Sequence, residues 1–380
     1  MRFHQLLLIL FTILCQLFSA CSHEALISSS ATCNLENDTV SFNNANTLFG
    51  HYEVFCQAMI DEEEVIVGYN EYKNGIEIFS LSAAAVRENL FINLNTIDSK
   101  GIENVRGIAY VNPDTIFIGT LKHIFHITQS GEIKNKIWIN QPRSKITGIN
   151  FDEKLFDFRL PRNRLFFDSE EQKFYFYTRW GDRSQFENAY YEGSICGTLS
   201  LNDLSFEPLP IYYPDLFQNS FYGFLNRPYF LYEDNRIIYS FENHAAFYVY
   251  DKISTEVKAI NWQPQNTNSK AKTFTGDPED YNQILRHVDF NPGFLALTPN
   301  ADKSMYYQFF FAGRQDGEFG RGKLFLAMFN KNLTQISESD VPSKYYPFLP
   351  FSINDNIYVK DMEWSTDNKI SFHKLKFNCQ

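Results

Sequence analysis

The chain has 380 residues and a formal net charge of −11, which argues against a polyanionic nucleic acid as a partner because like charges repel. Aromatic residues make up 17% of the sequence, and they occur in short runs instead of the spacing of an amphipathic helix. Because aromatic and β-branched residues favour strands, this composition is typical of an all-β protein.

The first twenty residues predict an export signal. Met1–Ala20 contains a single charged residue, Arg2, a short apolar segment, and small residues directly before Cys21. This segment is too short to span a bilayer. Its ending is similar to a bacterial lipobox, which predicts lipidation of Cys21 and anchoring to the membrane, whereas an ordinary secretory signal is the alternative. Ser22 favours the outer membrane of a Gram-negative bacterium as the destination.

Residues 21–37 are polar and lack periodicity, so we interpret them as a flexible tether before a single domain over residues 38–380. Four further cysteines follow Cys21: Cys33, Cys56, Cys196 and Cys379. An exported protein can form disulfides, and we predict one between Cys33 and Cys379 if the fold brings the chain ends together. Four buried thiols are the alternative. No cysteine spacing suits zinc, and no metal or other cofactor is predicted.

One stretch of the chain contains a complete repeating unit. Four short strands are predicted in it: Pro228–Tyr232, Ile237–Phe241, Ala246–Asp251 and Glu256–Trp262. Polar turns rich in Glu, Asp, Asn or Lys separate them. Four short antiparallel strands in succession are the unit of a β-propeller, that is, one blade.

The pattern of a polar turn followed by an apolar strand occurs six times, which predicts six blades. The predicted second strands are Val65–Tyr69, Ile116–Leu121, Phe174–Thr178, Ile237–Phe241, Phe309–Ala312 and Ile357–Lys360. The predicted third strands are Ile76–Leu81, Ile124–Thr128, Ser194–Leu199, Phe247–Tyr250, Leu324–Met328 and Ile370–Lys374.

The last predicted blade has no chain left for a fourth strand. We therefore expect Thr39–Phe42 to pair beside Ile370–Phe377 and close the ring, because an open sheet edge would promote aggregation. The predicted fold is an all-β, six-bladed β-propeller of four-stranded antiparallel blades, with the ring closed by the N-terminal strand.

Several short motifs resemble a known family. Leu209-Pro210 with Tyr213-Pro214, the run Ile238–Phe241 and the run Tyr248–Asp251 are similar to the domain of unknown function 4221, a family of uncharacterised exported lipoproteins. The resemblance covers most of the chain after the export signal. It implies a TolB-like six-bladed propeller and an exported location, and it supplies no catalytic residues.

Motifs for chemistry are weak in this sequence. His123 and His126 lie three apart on a predicted strand, so their side chains should point to opposite faces and not share a metal. The glycine-rich segment 317–322 lies between two strands instead of opening a helix, which favours a flexible loop over a phosphate-binding site.

Long loops on one face of the propeller are the predicted binding site. Thr178–Tyr191 and Gly313–Gly322 each join a second strand to a third strand, and the connector Gln263–Asn291 joins two blades on the same face. Arginine beside aromatic residues suits carboxylates, sugars or peptide backbones. The predicted contacts are Arg179, Trp180, Arg183, Tyr190, Arg314, Asp316 and Arg321. Alternatively, these arginines neutralise neighbouring acids.

Two functions are compatible with this pattern. The first is a binding or scaffolding module of the cell envelope for a peptide, protein or glycan, without catalysis. The alternative is an envelope glycan hydrolase or lyase, which would need paired carboxylates. The candidates for such a pair are Asp182, Glu187, Asp316 and Glu318.

Overall fold

The structure is a computed structural model of the chain. It describes residues 33–43, 54–80, 85–86, 90–96, 101–120, 122–139, 154–157, 165–180, 183–315, 320–342, 344–353, 356–361 and 369–379. The described residues form six antiparallel sheets arranged as a ring, together with one α-helix. The sequence-based prediction of a six-bladed β-propeller is confirmed.

The first strand in the chain, β1 (Cys33–Asn43), belongs to the last blade. Blade 1 contains β2 (Phe55–Ile60), β3 (Glu63–Asn70), β4 (Gly75–Ser80), β5 (Ala85–Val86) and β6 (Ile92–Asn93). Blade 2 contains β7 (Gly107–Asn112), β8 (Thr115–Gly119), β9 (His123–Ile127) and β10 (Ile133–Trp138). Blade 3 contains β11 (Lys154–Asp157), β12 (Phe166–Asp168), β13 (Lys173–Trp180), β14 (Cys196–Ser200) and β15 (Phe206–Pro208).

Blade 4 contains β16 (Pro228–Tyr232), β17 (Arg236–Phe241), β18 (Ala246–Asp251) and β19 (Val257–Asn261). Blade 5 contains β20 (Gly293–Pro299), β21 (Met305–Phe311), β22 (Leu324–Asn330) and β23 (Gln335–Val341). Blade 6 contains β24 (Tyr345–Ile353), β25 (Asn356–Asp361), β26 (Lys369–Cys379) and β1. Every predicted second and third strand overlaps the corresponding strand of its blade.

Alternation along the strands builds the core between the blades. Val65 and Val67 in β3 pack with residues of blade 2, whereas Ile66 packs with residues of blade 6, because successive side chains of a strand point to opposite faces. The same alternation recurs around the ring, and each of six apolar clusters lies mainly between two neighbouring blades. Each blade is therefore stabilised by both of its neighbours.

The first strand of each blade lies nearest the axis of the ring. β2 contacts β7, and β20 contacts both β16 and β24, so these inner strands pack across blade boundaries. One face of the ring, which we call the upper face, contains the starts of the inner strands and the ends of the second strands. The connections between consecutive blades also lie on this face. Both long second-to-third-strand loops predicted as a binding site belong to the upper face.

Strand β1 closes the ring. It pairs with β26 over eleven residues, from Cys33 opposite Cys379 to Asn43 opposite Lys369, which confirms the predicted closure. The strand also begins earlier than expected, so the tether prediction for residues 21–37 is wrong for residues 33–37. The sequence analysis missed this part of the strand because its side chains are polar. An outermost strand keeps one face in water and needs few apolar residues.

A polar network, buried at His373 and Asp361, ties β1 to the other strands of blade 6. The side chain of Asn37 donates to the hydroxyl of Tyr345 at the start of β24, and its Oδ1 lies 3.1 Å from Nδ1 of His373. Nε2 of His373 in turn contacts Asp361 Oδ2. The imidazole stacks on the Tyr345 ring with 4.0 Å between centroids. Closure therefore combines a backbone ladder with side-chain contacts across the blade.

The connector between blades 4 and 5 contains an α-helix that the sequence analysis missed. Helix α1 spans Tyr281–Phe290, and Asp280 caps it by accepting from the backbone N–H groups of Asn282 and Gln283. The Gln283 side chain donates to the Asp280 carboxylate, and Asp280-x-x-Gln283 has the spacing that marks a helix N-terminus in sequence. Four short 3-10 helices complete the described helical structure: Leu94–Thr96, Asn188–Tyr191, Asp215–Phe217 and Gly223–Asn226.

Among the described residues, no helix has the length and apolar character needed to cross a membrane. Cys56 and Cys196 are present as thiols, and Cys196 is buried in blade 3. Cys21 lies outside the described residues, as does the whole predicted export signal.

We predict that Cys33 and Cys379 form a disulfide. The backbone register places them opposite each other, and opposite residues of an antiparallel pair have Cα atoms about 4.5 to 5.5 Å apart, as a disulfide requires. The bond would stabilise the fold by about 4 kcal/mol by restricting the unfolded chain. Peptide mapping of exported protein without reductant should recover both residues in one linked peptide, whereas Cys196 should map as a thiol. Free thiols at both positions would contradict the pairing.

Candidate functional site

The predicted contacts on the upper face are only partly described. Arg179 and Trp180 end strand β13, but their side chains lie outside the described set, and Asp182, Asp316 and Glu318 lie outside it entirely. The roles predicted for these five residues stay predictions. The structure places the side chains of Arg183, Tyr190, Arg314 and Arg321.

Arg183 and Tyr190 stabilise their own loop. Nη1 of Arg183 donates to the carbonyl of Ala189 at 3.1 Å and lies 3.9 Å from Glu192. The Tyr190 ring packs edge-on against Tyr191 at 5.2 Å and belongs to the apolar cluster between blades 3 and 4. These contacts fold the loop back onto the blade. Glu187, a carboxylate of the proposed hydrolase pair, is exposed at the start of the 3-10 helix in this loop.

Arg314 fastens helix α1 to blade 5. Its backbone N–H donates to the carbonyl of Asp289 at 2.6 Å, and its guanidinium lies 3.8 Å from the Asp289 carboxylate. The guanidinium also covers the Phe290 ring, 4.3 Å from the centroid. Cations near a helix C-terminus interact favourably with its dipole. Arg314 therefore holds the end of the helix against the loop after β21.

Arg321 joins blades 4 and 5 through a buried carboxylate. Nη1 lies 2.8 Å from Oε1 of Glu242, with 14% of the arginine side chain and 3% of the glutamate side chain exposed. The Tyr229 hydroxyl donates to the other carboxylate oxygen at 3.3 Å. The guanidinium lies over Gly293, where a Cβ would be 1.9 Å from Nη2. Only glycine at position 293 leaves room for this pair.

Three of the predicted contact arginines thus already interact with carboxylates of the protein. The partners are Glu192, Asp289 and Glu242. The arrangement supports the alternative in which these arginines neutralise acids. Glu242 could not be identified from the sequence as the partner of Arg321, because the two residues are 79 positions apart.

Helix α1 is the part of the upper face that exposes apolar side chains. The exposed fractions are 60% for Tyr281, 39% for Leu285 and 44% for Phe290. Across the described residues, nine large apolar side chains are exposed in this way, and three of them lie on this ten-residue helix. Exposed large apolar side chains are therefore concentrated on this helix, whereas the others in the described residues are scattered.

The helix is anchored by a buried residue and by contacts near both of its ends. Ile284 is buried. It lies next to Gly223, where an added Cβ would be 3.2 Å from Cγ2 of Ile284. Asn291 follows the helix and accepts from the backbone N–H of Lys272 at 2.8 Å. The Tyr281 ring lies 5.7 Å from the Phe224 ring, and the Arg227 guanidinium lies 5.2 Å from the centroid of the same ring. These contacts fix the orientation of the exposed residues.

Basic residues recur where inner strands begin on the upper face. Arg106 directly precedes β7, Arg227 directly precedes β16 and Lys344 directly precedes β24. All three are half-buried. The sequence analysis did not identify them, although each lies next to an apolar run that marks an inner strand.

Buried titratable groups also lie near the upper face. Glu77 in β4 is 1% exposed and accepts from Lys73 Nζ at 2.8 Å and from Asn70 Nδ2 at 3.0 Å. Burial raises the pKa of Glu77 to about 7, since loss of hydration exceeds the attraction of the Lys73 ammonium, whose side chain is 39% exposed. Burial also lowers the pKa of His244 to about 3.

Among the residues that the structure describes, no three His, Cys, Asp or Glu side chains are grouped as a metal site. His126 packs against the Phe117 ring at 4.9 Å, whereas His123 packs edge-on against Trp138 at 4.7 Å. The two histidines therefore serve separate packing contacts.

This geometry defines a six-bladed β-propeller with a helix in the connector between blades 4 and 5. The model of the DUF4221 family, a domain of unknown function, matches residues 30–340. The chain belongs to the DUF4221 family.

Solved structures agree on the fold. The crystal structure of a DUF4221 member from Bacteroides vulgatus matches with a TM-score of 0.74 and 15% identity, over 92% of this chain and 100% of that chain. A putative exported protein from Bacteroides fragilis matches with a TM-score of 0.53 and 8% identity, over 93% and 98% of the two chains. No curated protein matches the sequence. At these identities, the likeness concerns the fold alone.

We predict that Glu77→Gln flattens the pH dependence of stability. The folded-state pKa of about 7 exceeds the usual 4.5, so the folded state binds more protons between these values. The free energy of unfolding should therefore fall as the pH rises through this window, by up to about 3 kcal/mol. Urea unfolding from about pH 4 to pH 8 measures this slope.

The matched control is Glu256→Gln, which removes the same charge from an exposed position. It should keep the wild-type slope. A wild-type slope in Glu77→Gln would show that another group causes the pH dependence.

Proposed function

We propose that this protein is an exported, non-catalytic binding module that recognises a partner protein through the exposed side of helix α1. Tyr281 and Leu285 supply the apolar contacts, and the exposed Arg286 supplies a charge near them. The observation that carries the proposal is the concentration of exposed apolar side chains on this one helix.

Residue types on this surface match those that dominate protein interfaces. Tyrosine and arginine are enriched among residues that contribute most to binding energy, and large apolar side chains fill the centre of an interface. Tyr281 and Leu285 are four residues apart on the helix, so they lie on the same side, one turn from each other.

The surface is held rigid before a partner binds. The Asp280 cap fixes the start of the helix, Ile284 fixes its middle, and Arg314 fixes its end. Phe274 in the preceding connector packs edge-on against His287 at 5.3 Å. A preorganised surface loses little conformational entropy on binding, so more of the contact energy contributes to affinity.

The charge beside the apolar residues indicates what the partner presents. Arg286 is exposed on the helix, one position after Leu285. Arg227 covers the Phe224 ring next to Tyr281. A protein segment with an apolar side chain followed by a carboxylate would match both features, since charge complementarity directs association and selects partners.

We predict that the double variant Tyr281→Ala, Leu285→Ala loses the partner. The purified wild-type protein and the variant are immobilised in parallel, and proteins retained from an extract of exported proteins are compared. A specific partner should bind the variant at least about tenfold more weakly, equivalent to about 1.4 kcal/mol. Arg286→Glu should weaken binding of the same partner, because it reverses the charge at this position.

The matched control is Met59→Ala with Ile253→Ala, which removes exposed apolar side chains away from the helix. The control should retain the partner, and all variants should melt like the wild type because the replaced side chains are exposed and exposed substitutions change stability little. Equal binding of the partner by the wild type and the helix variant would contradict the proposal that helix α1 is the binding surface. A glycan array in parallel would reveal a sugar ligand, which would also contradict a protein partner.

Export and a lipid anchor are the second part of the proposal. The segment Met1–Ala20 before Cys21 supports it, as does the description of the Bacteroides fragilis structure as a putative exported protein. We predict that the protein fractionates with membranes and that Cys21→Ala releases it into the soluble exported fraction. Membrane retention of Cys21→Ala would contradict lipidation at this residue.

The hydrolase alternative receives no specific support. Three of its four candidate carboxylates, Asp182, Asp316 and Glu318, lie outside the described residues, and the fourth, Glu187, is exposed.

A further inference from the structure

The last turn of helix α1 carries a half-buried histidine that three segments enclose. His287 packs edge-on against the Phe274 ring, with 5.3 Å between the ring centroids. An added Cβ at Gly223 would lie 3.9 Å from Cδ2 of His287, and Nδ1 of His287 lies 3.3 Å from Nδ2 of Asn291. The imidazole therefore contacts the connector between blades 4 and 5, the 3-10 helix Gly223–Asn226 and the residue that follows helix α1.

The hydrogen bonds of Asn291 determine which nitrogen of His287 carries the proton. The backbone N–H of Lys272 donates to Oδ1 of Asn291 at 2.8 Å, so the other end of this amide is the NH2 group, which can only donate. The same NH2 group donates to the carbonyl of His287 at 2.8 Å. Since Nδ1 of His287 faces a donor, it must accept, and the neutral imidazole carries its proton on Nε2.

This arrangement opposes a positive charge on the imidazole. Nε2 of His287 is buried and has no hydrogen-bond partner in the described part of the chain. A protonated imidazole has two N–H donors, so Nδ1–H would meet the NH2 group of Asn291, and Nε2–H would stay out of water without an acceptor. Burying a charge without a partner is costly. Protonation should therefore drive the imidazole out of this position.

Charged residues on the surrounding segments do not remove this cost. They are Arg227 after the 3-10 helix, Lys272 and Asp277 in the connector, Arg286 and Asp289 on helix α1, and Arg314 in the loop after β21. Asp289 already lies 3.8 Å from the Arg314 guanidinium. A helix C-terminus favours a cation, but Arg314 supplies one there. Burial lowers the pKa of His287, because the loss of hydration exceeds the attraction of these carboxylates.

Asn291 also holds the end of the helix in place. It is 6% exposed, and its bond from Lys272 joins the helix end to the connector. The connector is fixed in turn, since the N–H of Ala271 donates to the carbonyl of Asn243 in blade 4 at 2.8 Å, and the N–H of Phe274 donates to the carbonyl of Phe221 at 2.7 Å. Movement of the His287 imidazole would therefore disturb the contact that docks the last turn of helix α1.

We propose that His287 and Asn291 form an acid-sensitive clasp, which holds the C-terminal half of helix α1 against the connector at neutral pH and releases it when His287 gains a proton. Histidine is the side chain whose charge changes near neutral pH. The effect on recognition rests on the proposed function of helix α1, whereas the clasp itself does not. A released helix would present Tyr281 and Leu285 less rigidly, so acid should weaken binding of the partner.

The direction of the pH effect follows from proton binding. The folded-state pKa of His287 lies below the usual 6.5, so a released helix binds more protons than a docked helix. Docking should therefore have its full strength above pH 6.5 and weaken as the pH falls from there towards the folded-state pKa.

NMR and hydrogen exchange of the purified full-length chain test the clasp without a partner. The Cδ2 chemical shift of His287 should report the Nε2–H tautomer at neutral pH, and its titration midpoint should lie below that of His287 in the urea-unfolded chain. Amide exchange of Tyr281–Phe290, corrected for its intrinsic pH dependence, should be at least about threefold faster at about pH 5 than at about pH 7.5.

Two variants assign the effect to the clasp. His287→Gln does not titrate, so corrected exchange of helix α1 should be equal at both pH values. Asn291→Asp keeps the acceptor for the Lys272 N–H and places a carboxylate oxygen beside Nδ1, so the titration midpoint of His287 should rise above the wild-type value. The matched control is His126→Gln, which removes a histidine from β9 in blade 2 and should keep the acid response. If Asn291→Asp does not fold, His287→Gln still decides the question.

Three results would overturn the clasp: an Nδ1–H tautomer of His287 at neutral pH, equal corrected exchange of wild-type helix α1 at both pH values, or a full acid response in His287→Gln. Failure of the partner-protein test would leave these measurements unaffected, and their failure would leave that test unaffected. If both proposals hold, the partner should bind at least about threefold more weakly at about pH 5 than at about pH 7.5. His287→Gln should abolish this difference.

Discussion

Pairing between β1 and β26 is the contact on which the rest of this fold depends. Blade 6 has only three strands from the C-terminal part of the chain, and β1 provides the fourth through an eleven-residue register. Without it, β26 would be an open edge, which invites pairing with other chains. The network of Asn37, His373 and Tyr345 then connects the closing strand to the innermost strand of the same blade.

Closure matters to every blade because the core is shared. Each apolar cluster lies mainly between two blades, so a blade alone would leave both of its faces in water. Leu35 in β1 packs with the cluster between blades 5 and 6, and Val40 packs with the cluster between blades 6 and 1. The closing strand thus contributes to both interfaces of blade 6. This dependence fits repeat architectures, in which neighbouring repeats stabilise one another.

The upper face divides its charged residues between structure and recognition. Arg314 and Arg321 hold the helix and the boundary between blades 4 and 5 through Asp289 and Glu242. Their contacts leave apolar side chains of helix α1 exposed beside them. A rigid frame with exposed groups on connecting segments is how many scaffolds carry binding sites.

The sequence by itself determined the number of blades, the order of their strands and the closing partner of the last blade. These follow from period-two alternation and turn residues, which are local properties of the chain. The start of β1 at Cys33 could not be predicted, since an outer strand keeps polar residues on its exposed face. Helix α1 was missed although Asp280 and Gln283 carried a capping signal.

Only the tertiary structure decided which arginines of the predicted site are already paired with carboxylates of the protein. Sequence placed Arg183, Arg314 and Arg321 in loops suited to a ligand, but their partners Glu192, Asp289 and Glu242 depend on how loops and blades meet. It contained no sign that Arg321 meets Glu242 across the boundary between blades 4 and 5, because the ring brings together residues 79 positions apart. Ion pairs and shared surfaces are set by distances in space, and local sequence patterns do not contain those distances.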